Sequence, residues 1–312
     1  MHENDLVTAT STSRNTLSGA TARQPRLAAN PIAYWLRGDQ VDRSIEVLEQ
    51  AFAELSAIGF TAVKADIPDG MSAPAYTDWL DDFGLAPSLS LFSSPFDETI
   101  DIASEIERAK RFGAEQAELG LNRTMVSSML VPARMATPAV GADFDPGRLA
   151  LAVDNCGIVC QVLQSQGVRP LHHSHAGGVF ETEDEITTLL DTLGPDVIGF
   201  GPDTGHLRWA GADPVAMIER YADRIGGIHL TDCYPDHLDA ATRPALGYLE
   251  VTATRRLWAE PGRGVVDLEN VVASLPDDYD GDFMIEIDIP SGNSAAESYA
   301  AAFAWAHAAR HA

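Results

Sequence analysis

The chain has 312 residues, 45% of them hydrophobic, which is material for a large core; its three cysteines are odd in number and unevenly spaced, which excludes a secreted disulfide framework. It carries 46 acidic against 21 basic residues, a formal net charge of -25, and only Lys64 and Lys110 among the bases are lysines. A field of that sign repels phosphate backbones and excludes nucleic acid as a partner; with no apolar run near the ~18 residues that span a bilayer and no signal segment, no membrane role is expected and the expected compartment is cytoplasmic.

Residues 1–28 are rich in Ser, Thr, Ala and Asn and lack hydrophobic periodicity, so they are expected to form a disordered leader ahead of one domain over 29–312. From Pro31 onward, apolar runs suited to buried parallel strands fall near 31–36, 61–67, 86–92, 115–121, 168–174, 196–202, 225–230 and 282–287. Helical patterns lie between them. Residues 41–58 put Ile45, Leu48, Phe52, Leu55 and Ile58 on one face, with Gly59 as the stop. Helices over 97–112 and 144–166 are expected to stop at Gly113 and Gly167 in the same way. Asp213-Pro214 supplies an N-cap and a first-turn proline for a helix through Tyr221, and Ser294 to His307 forms the last helix. Long loops over 122–143 and 231–256 belong to the face where substrate pockets are built. Eight strands alternating with eight helices predict an α/β fold, a single (β/α)8 TIM barrel.

Four runs in the second half end in residues that bind metals. Val168–Leu171 leads into His172-His173-Ser174-His175, and Val197–Gly201 into Asp203-Thr204-Gly205-His206. Ile225–Ile228 reaches His229, and Phe283–Ile285 reaches Glu286, with Asp288 two residues on as a competing ligand. Carboxylates and imidazoles gathered at the C-terminal ends of barrel strands suit an open divalent-metal site: Mn²⁺ first, with Zn²⁺, Co²⁺ or Mg²⁺ as alternatives. Asp203 also reads as a helix N-cap, and Glu286, flanked by Met284, Ile285 and Ile287, would be a costly buried charge without a partner. Alternation lets His173 and His175 face the barrel axis while His172 points away. His206, three residues past Asp203, can face substrate; Glu181 can reach substrate hydroxyls or be a loop acid. Arg263, in Glu260-Pro261-Gly262-Arg263-Gly264, matches no phosphate-loop fingerprint and can hold substrate oxygens instead. Cys156 and Cys160 share a helix face with Leu149, Val153 and Leu163 and read as packing; Cys233 near the site mouth reads as a spectator thiol.

Asp203-Thr204-Gly205-His206, His229-Leu230-Thr231-Asp232, Glu260 to Gly264 and Glu286-Ile287-Asp288 together resemble the xylose isomerase-like barrel superfamily, over residues 30 to 310. That superfamily contains sugar isomerases and epimerases, inosose dehydratases and endonuclease IV. The resemblance implies Asp203, His229 and Glu286 as metal ligands, and His206 and Arg263 as substrate contacts. Ketose epimerases carry a Glu at the end of strand five, paired with the last Glu as two acid/base groups; here His173-Ser174-His175 stands in its place. That segment is similar to the one in inosose dehydratases and in the catalytic subunits of C-glycoside deglycosidases. It implies a lyase acting on a keto-cyclitol or 3-keto-sugar by α-proton abstraction and β-elimination. On that reading His173 joins the metal ligands, His175 or His206 is the base, Glu286 also takes part in acid/base chemistry, and Glu181 with Arg263 orients a polyol or keto-sugar. A sugar isomerase or epimerase, and a non-catalytic sugar-binding barrel, remain the alternatives; a homo-oligomer or a small accessory subunit is compatible with each.

Overall fold

Eight short buried segments become parallel strands: β1 (Leu27–Ala29), β2 (Ala62–Lys64), β3 (Ala86–Ser88, resumed after a bend as Leu91–Ser94) and β4 (Arg123–Ser128) come first. β5 (Arg169–His172), β6 (Gly199–Phe200), β7 (Ile228–Leu230) and β8 (Phe283–Ile285) complete the set. This is a computed structural model, describing residues 25–37, 40–238 and 246–309. β1 pairs with β8 and β2, β8 with β7, and β2 with the first half of β3. The second half of β3 pairs with β4, β4 with β5, and β5 with β6. Parallel bridges Phe200↔Ile225 and Asp203↔His229 join β6 to β7 and close the ring.

An outer layer of helices follows: α1 (Ile45–Ile58), α2 (Ala73–Asp81), α3 (Ile102–Glu118), α4 (Pro146–Ser165), α5 (Glu183–Leu193), α6 (Pro214–Arg220), α7 (Leu268–Ala273) and α8 (Ala295–Ala309). Gly59 ends α1 in the left-handed region at φ 118°, and the Asp213 carboxylate caps α6 through Val215 N and Ala216 N. α1 buries Leu48, Phe52 and Leu55, but Ile45, expected on that face, is exposed.

Three expectations are corrected. First, the boundary at residue 28 cuts through β1; most of the expected leader lies outside the described residues. Second, the run at 31–36 is not a barrel strand. Pro31 has no N–H for a ladder, and Ile32–Trp35 forms one helical turn after β1. Third, 115–121 is mostly helix. Gly113 does not stop α3: a Cβ there would come within 2.8 Å of Gln166, so this glycine lets α3 approach the end of α4. Glu115 to Glu118 are good helix formers and carry α3 onward, and the strand begins at Arg123.

The barrel interior is plugged by Ala28, Ala62, Leu89, Met125, Leu171 and Met284, one from each of six strands. β6 and the approach to β7 contribute glycines, whose missing side chains leave room for Met125 and Leu171. At Gly199 an added methyl would lie 2.6 Å from Leu171 Cδ2 and 2.9 Å from the Arg224 carbonyl oxygen. Gly199→Ala is therefore expected to cost about 1–3 kcal/mol by overpacking, read as a lower urea midpoint; a midpoint equal to wild type would refute the close-approach explanation.

Candidate metal centre

Side chains alternate along a strand, so residues two positions beyond the apolar plug point into the barrel at its C-terminal mouth. That rule selects Asn30 (after Ala28), Lys64 (after Ala62), Ser127 (after Met125), His173 (after Leu171) and Glu286 (after Met284). Asp203 and His229 stand two past Gly201 and Gly227, whose virtual Cβ atoms also face the plug. The polar layer at the mouth is thus the next storey of the same register.

His173, Asp203 and His229 each bring a donor atom within 4.8 Å of the other two, and all three are buried. Glu286 joins them: its Oε2 lies 2.5 Å from His229 Nδ1, which is itself 3.8 Å from Asp203 Oδ2. Asp203 satisfies both readings of the sequence at once. Its Oδ1 accepts from His206 N at 2.9 Å as the N-cap of the turn Thr204–Trp209, while Oδ2 accepts from Thr231 Oγ1 at 2.8 Å and faces His229. Burial, reinforced by the nearby Glu286, pushes Asp203 up to about 7. Burial also raises Asp288, with Glu286 and Asp203 as like charges beside it. Glu286 is held well below the usual carboxylate range, because the attraction of His229 and His173 outweighs its burial.

The fit of a cation is tested by atoms without partners. His173 Nδ1, His229 Nε2 and Asp288 Oδ1 are buried and make no hydrogen bond, and His229 Nδ1 and Glu286 Oε2, 2.5 Å apart, have only each other within reach. Each orphaned polar atom costs about 1–3 kcal/mol, and a divalent cation relieves several at once. Two imidazoles with carboxylates form a mixed N/O donor set of the kind that holds Mn²⁺, Zn²⁺, Co²⁺ or Mg²⁺.

Beside this cluster, the His175 and His206 rings lie 3.9 Å apart between centroids, and burial lowers the basicity of both. Their backbone contacts assign opposite tautomers. His175 Nδ1–H donates to the Ala176 carbonyl at 2.7 Å, leaving a lone pair on Nε2. The Ala176 N–H donates to His206 Nδ1 at 3.2 Å, so the remaining proton of neutral His206 sits on Nε2. Tyr248 stacks on His175 at 6.0 Å, and Trp258 meets His206 edge-on at 4.8 Å, giving the pair an aromatic wall. His172 points away, as alternation requires: it packs against Phe180 and Phe200, and burial lowers it to about 3.

Other expected site residues do other work. Both Glu181 oxygens are taken by backbone N–H groups of Ala139, Val140, Gly141 and Gly177. It clamps the β4 loop, where Ala139 sits in the left-handed region at φ 61°, and has no oxygen open to substrate. Arg263 is 54% exposed, with its nearest carboxylate, Glu260, at 3.8 Å; it stands outside the cluster. Asp232 binds the N–H groups of Gly262, Gly264 and Val266, so the conspicuous Glu260–Gly264 segment is a loop pinned to β7. Cys156 and Cys160 pack in the core as expected, and burial pushes the Cys233 thiol up, away from reactivity. Tyr248, Asn30 and Lys64 were not singled out as site residues from the sequence; the alternation that placed His173 marks Asn30 and Lys64 equally well.

The family described as xylose isomerase-like TIM barrel has a model that matches residues 52–309. The chain belongs to that family. Among similar proteins, an inosose dehydratase of Geobacillus kaustophilus is 25% identical over 246 residues, covering 77% of this chain and 80% of the relative. One from Clostridium beijerinckii is 25% identical over 84% of this chain and 89% of the relative. In fold, this family member superposes on a probable 3-DHS dehydratase from Bacillus anthracis at TM-score 0.66 and 15% identity, covering 91% of this chain and 99% of that one. An IOLI protein with a bound zinc atom matches at TM-score 0.67 and 14% identity, covering 91% and 97%. No described helix is long and apolar enough to cross a membrane.

Proposed function

We propose that this family member is a divalent-metal dehydratase or related lyase that removes the α-proton of a cyclic keto-polyol and expels a β-oxygen substituent. The observation that carries the reading is the pairing of a His173–Asp203–His229–Glu286 donor cluster, with imidazole nitrogens that have no hydrogen-bond partner, and a histidine pair, His175 after β5 and His206 after β6. Inosose dehydratase relatives support the substrate class, and the zinc-binding structural neighbour supports a divalent ion. The order Mn²⁺ before Zn²⁺, Co²⁺ and Mg²⁺ and a cytoplasmic location belong to the same proposal.

Asp203, His229, Glu286 and His173 would hold the ion, with Asp288 turned toward Glu286. When bound, a divalent cation there supplies Lewis acidity toward a ketone oxygen. His175 Nε2, neutral and carrying a lone pair, takes the α-proton; the electron pair forms the new C=C bond as the β C–O bond breaks, and the proton returns from His175 Nε2–H to the leaving oxygen, which departs as water. His206 Nε2–H donates a hydrogen bond to a substrate oxygen. Tyr248, Trp209 and Trp258 exclude water on that side. Glu181 is withdrawn from the substrate contacts, and Arg263 would reach substrate only from the rim.

Incubation of the metal-loaded protein with 2-keto-myo-inositol in deuterated water tests the class. Elimination gives the unsaturated ketone and water. Label exchange or epimerisation without loss of water would instead establish a sugar isomerase or epimerase, and neither reaction together with no bound metal would establish a non-catalytic barrel.

A further inference from the structure

Lys64, one of two lysines in the chain, ends β2 in the polar layer that carries the candidate metal ligands. It is half-buried, and among the described residues its ammonium makes no hydrogen bond or ion pair. It stands two residues past the plug residue Ala62, as Glu286 stands two past Met284, so both belong to the same storey of the barrel mouth. Lys64 also lines a cavity of about 450 Å³, together with Pro31, Trp35, Arg43, Asp66 and Tyr76. None of the four candidate ligands lines it. Arg43 is already engaged: it pairs with Asp66 at 2.8 Å and lies over the Trp35 ring at 4.1 Å. Of the two cations lining the cavity, Lys64 is therefore the one left with donors to offer. A half-buried ammonium without a protein acceptor keeps its donors available, and an oxygen-rich ligand in the cavity supplies acceptors for them.

We propose that Lys64 is a substrate-contacting residue, donating hydrogen bonds to an oxygen of a polyhydroxylated ring, and that the cavity beside it is the subsite for the end of that ring system farthest from the reacting carbon. The assignment rests on the dehydratase reading of the metal cluster. It makes β1 and β2, which provide no ligand, the specificity-setting side of the mouth.

Amine labelling with an acetylating reagent, read by peptide mass spectrometry, tests this in the full-length, metal-loaded protein. Lys110, exposed and paired with Glu107 on α3, is a built-in reference. With 2-keto-myo-inositol at ten times its dissociation constant, Lys64 labelling is expected to slow about ten-fold by mass action, while Lys110 is unchanged. Lys64→Met is expected to lose about 10- to 100-fold in kcat/KM, mainly through KM, as for a lost hydrogen bond to a charged group. Lys64→Arg should recover part of that loss, and metal content should be unchanged in both. Turnover without protection of Lys64, or a Lys64→Met enzyme with wild-type KM, overturns the assignment and leaves the dehydratase reading standing. Absence of turnover, metal and protection together overturns both.

Discussion

Asp203→Asn is expected to abolish metal retention while leaving the barrel folded. The substitution keeps an oxygen that can cap the turn Thr204–Trp209, and Asn is as good an N-cap as Asp. It removes the negative charge facing His229 across the bridge between β6 and β7. Bound metal, measured by elemental analysis after dialysis, should fall by at least about 10-fold, since even partners one shell removed from a metal are worth that much. kcat on a keto-inositol should fall by about 10³-fold or more, because Lewis-acid stabilisation supplies several kcal/mol. His229→Gln should behave alike, since His229 touches both carboxylates of the cluster. Wild-type metal content in both variants would remove the site assignment, whatever happened to activity. A loss of far-ultraviolet circular dichroism in Asp203→Asn would show instead that capping dominates, and His229→Gln, whose side chain caps nothing, would then decide.

The barrel and the cluster of candidate ligands were legible because the same feature encodes both. Buried parallel strands read as short apolar runs, and a His, Asp or Glu at the end of one is conspicuous against its neighbours. Where the reading failed, the pattern was ambiguous on physical grounds. Leu27-Ala28-Ala29 is only three residues long and looks like the tail of the polar segment before it, yet it pairs on both edges. The run Pro31 to Leu36 is more apolar, but proline and one helical turn spend that apolarity on packing outside the barrel. β4 reads Arg-Thr-Met-Val-Ser-Ser, with too many small polar residues to stand out, because its later positions line the polar mouth. Gly113 shows that a glycine in a helical pattern can mark a close helix contact as well as a stop. The motif residues Glu181, Asp232 and Glu260 show a related ambiguity. Each is an acid in a conspicuous loop, and each spends its oxygens on backbone N–H or hydroxyl groups that hold the loop in place. An acid that anchors a loop and one that meets substrate look alike in sequence; only the count of donors around it separates them.

The histidine pair yields the sharpest chemical prediction, because the two rings are nearly in contact yet carry opposite tautomers. His175→Gln is expected to lower kcat by about 10²–10⁴-fold, the range for a general base, with metal content unchanged. Exchange of the substrate α-proton with deuterated water should fall in parallel, since glutamine has no basic nitrogen to accept that proton. His206→Gln should be far milder, within about 10-fold, the cost of one imperfectly placed neutral hydrogen bond. Its amide oxygen can accept from Ala176 N, as His206 Nδ1 does, and its NH₂ can donate as Nε2–H does. The contrast rests on Ala176 alone. Its carbonyl fixes the proton of His175 on Nδ1, and its N–H fixes the lone pair of His206 on Nδ1. If His206→Gln proved the more damaging, with α-proton exchange lost in that variant and kept in His175→Gln, the roles of the two rings would be reversed. Comparable losses in both would mean that the proton passes through the pair as a unit, across the 3.9 Å that separates the ring centroids.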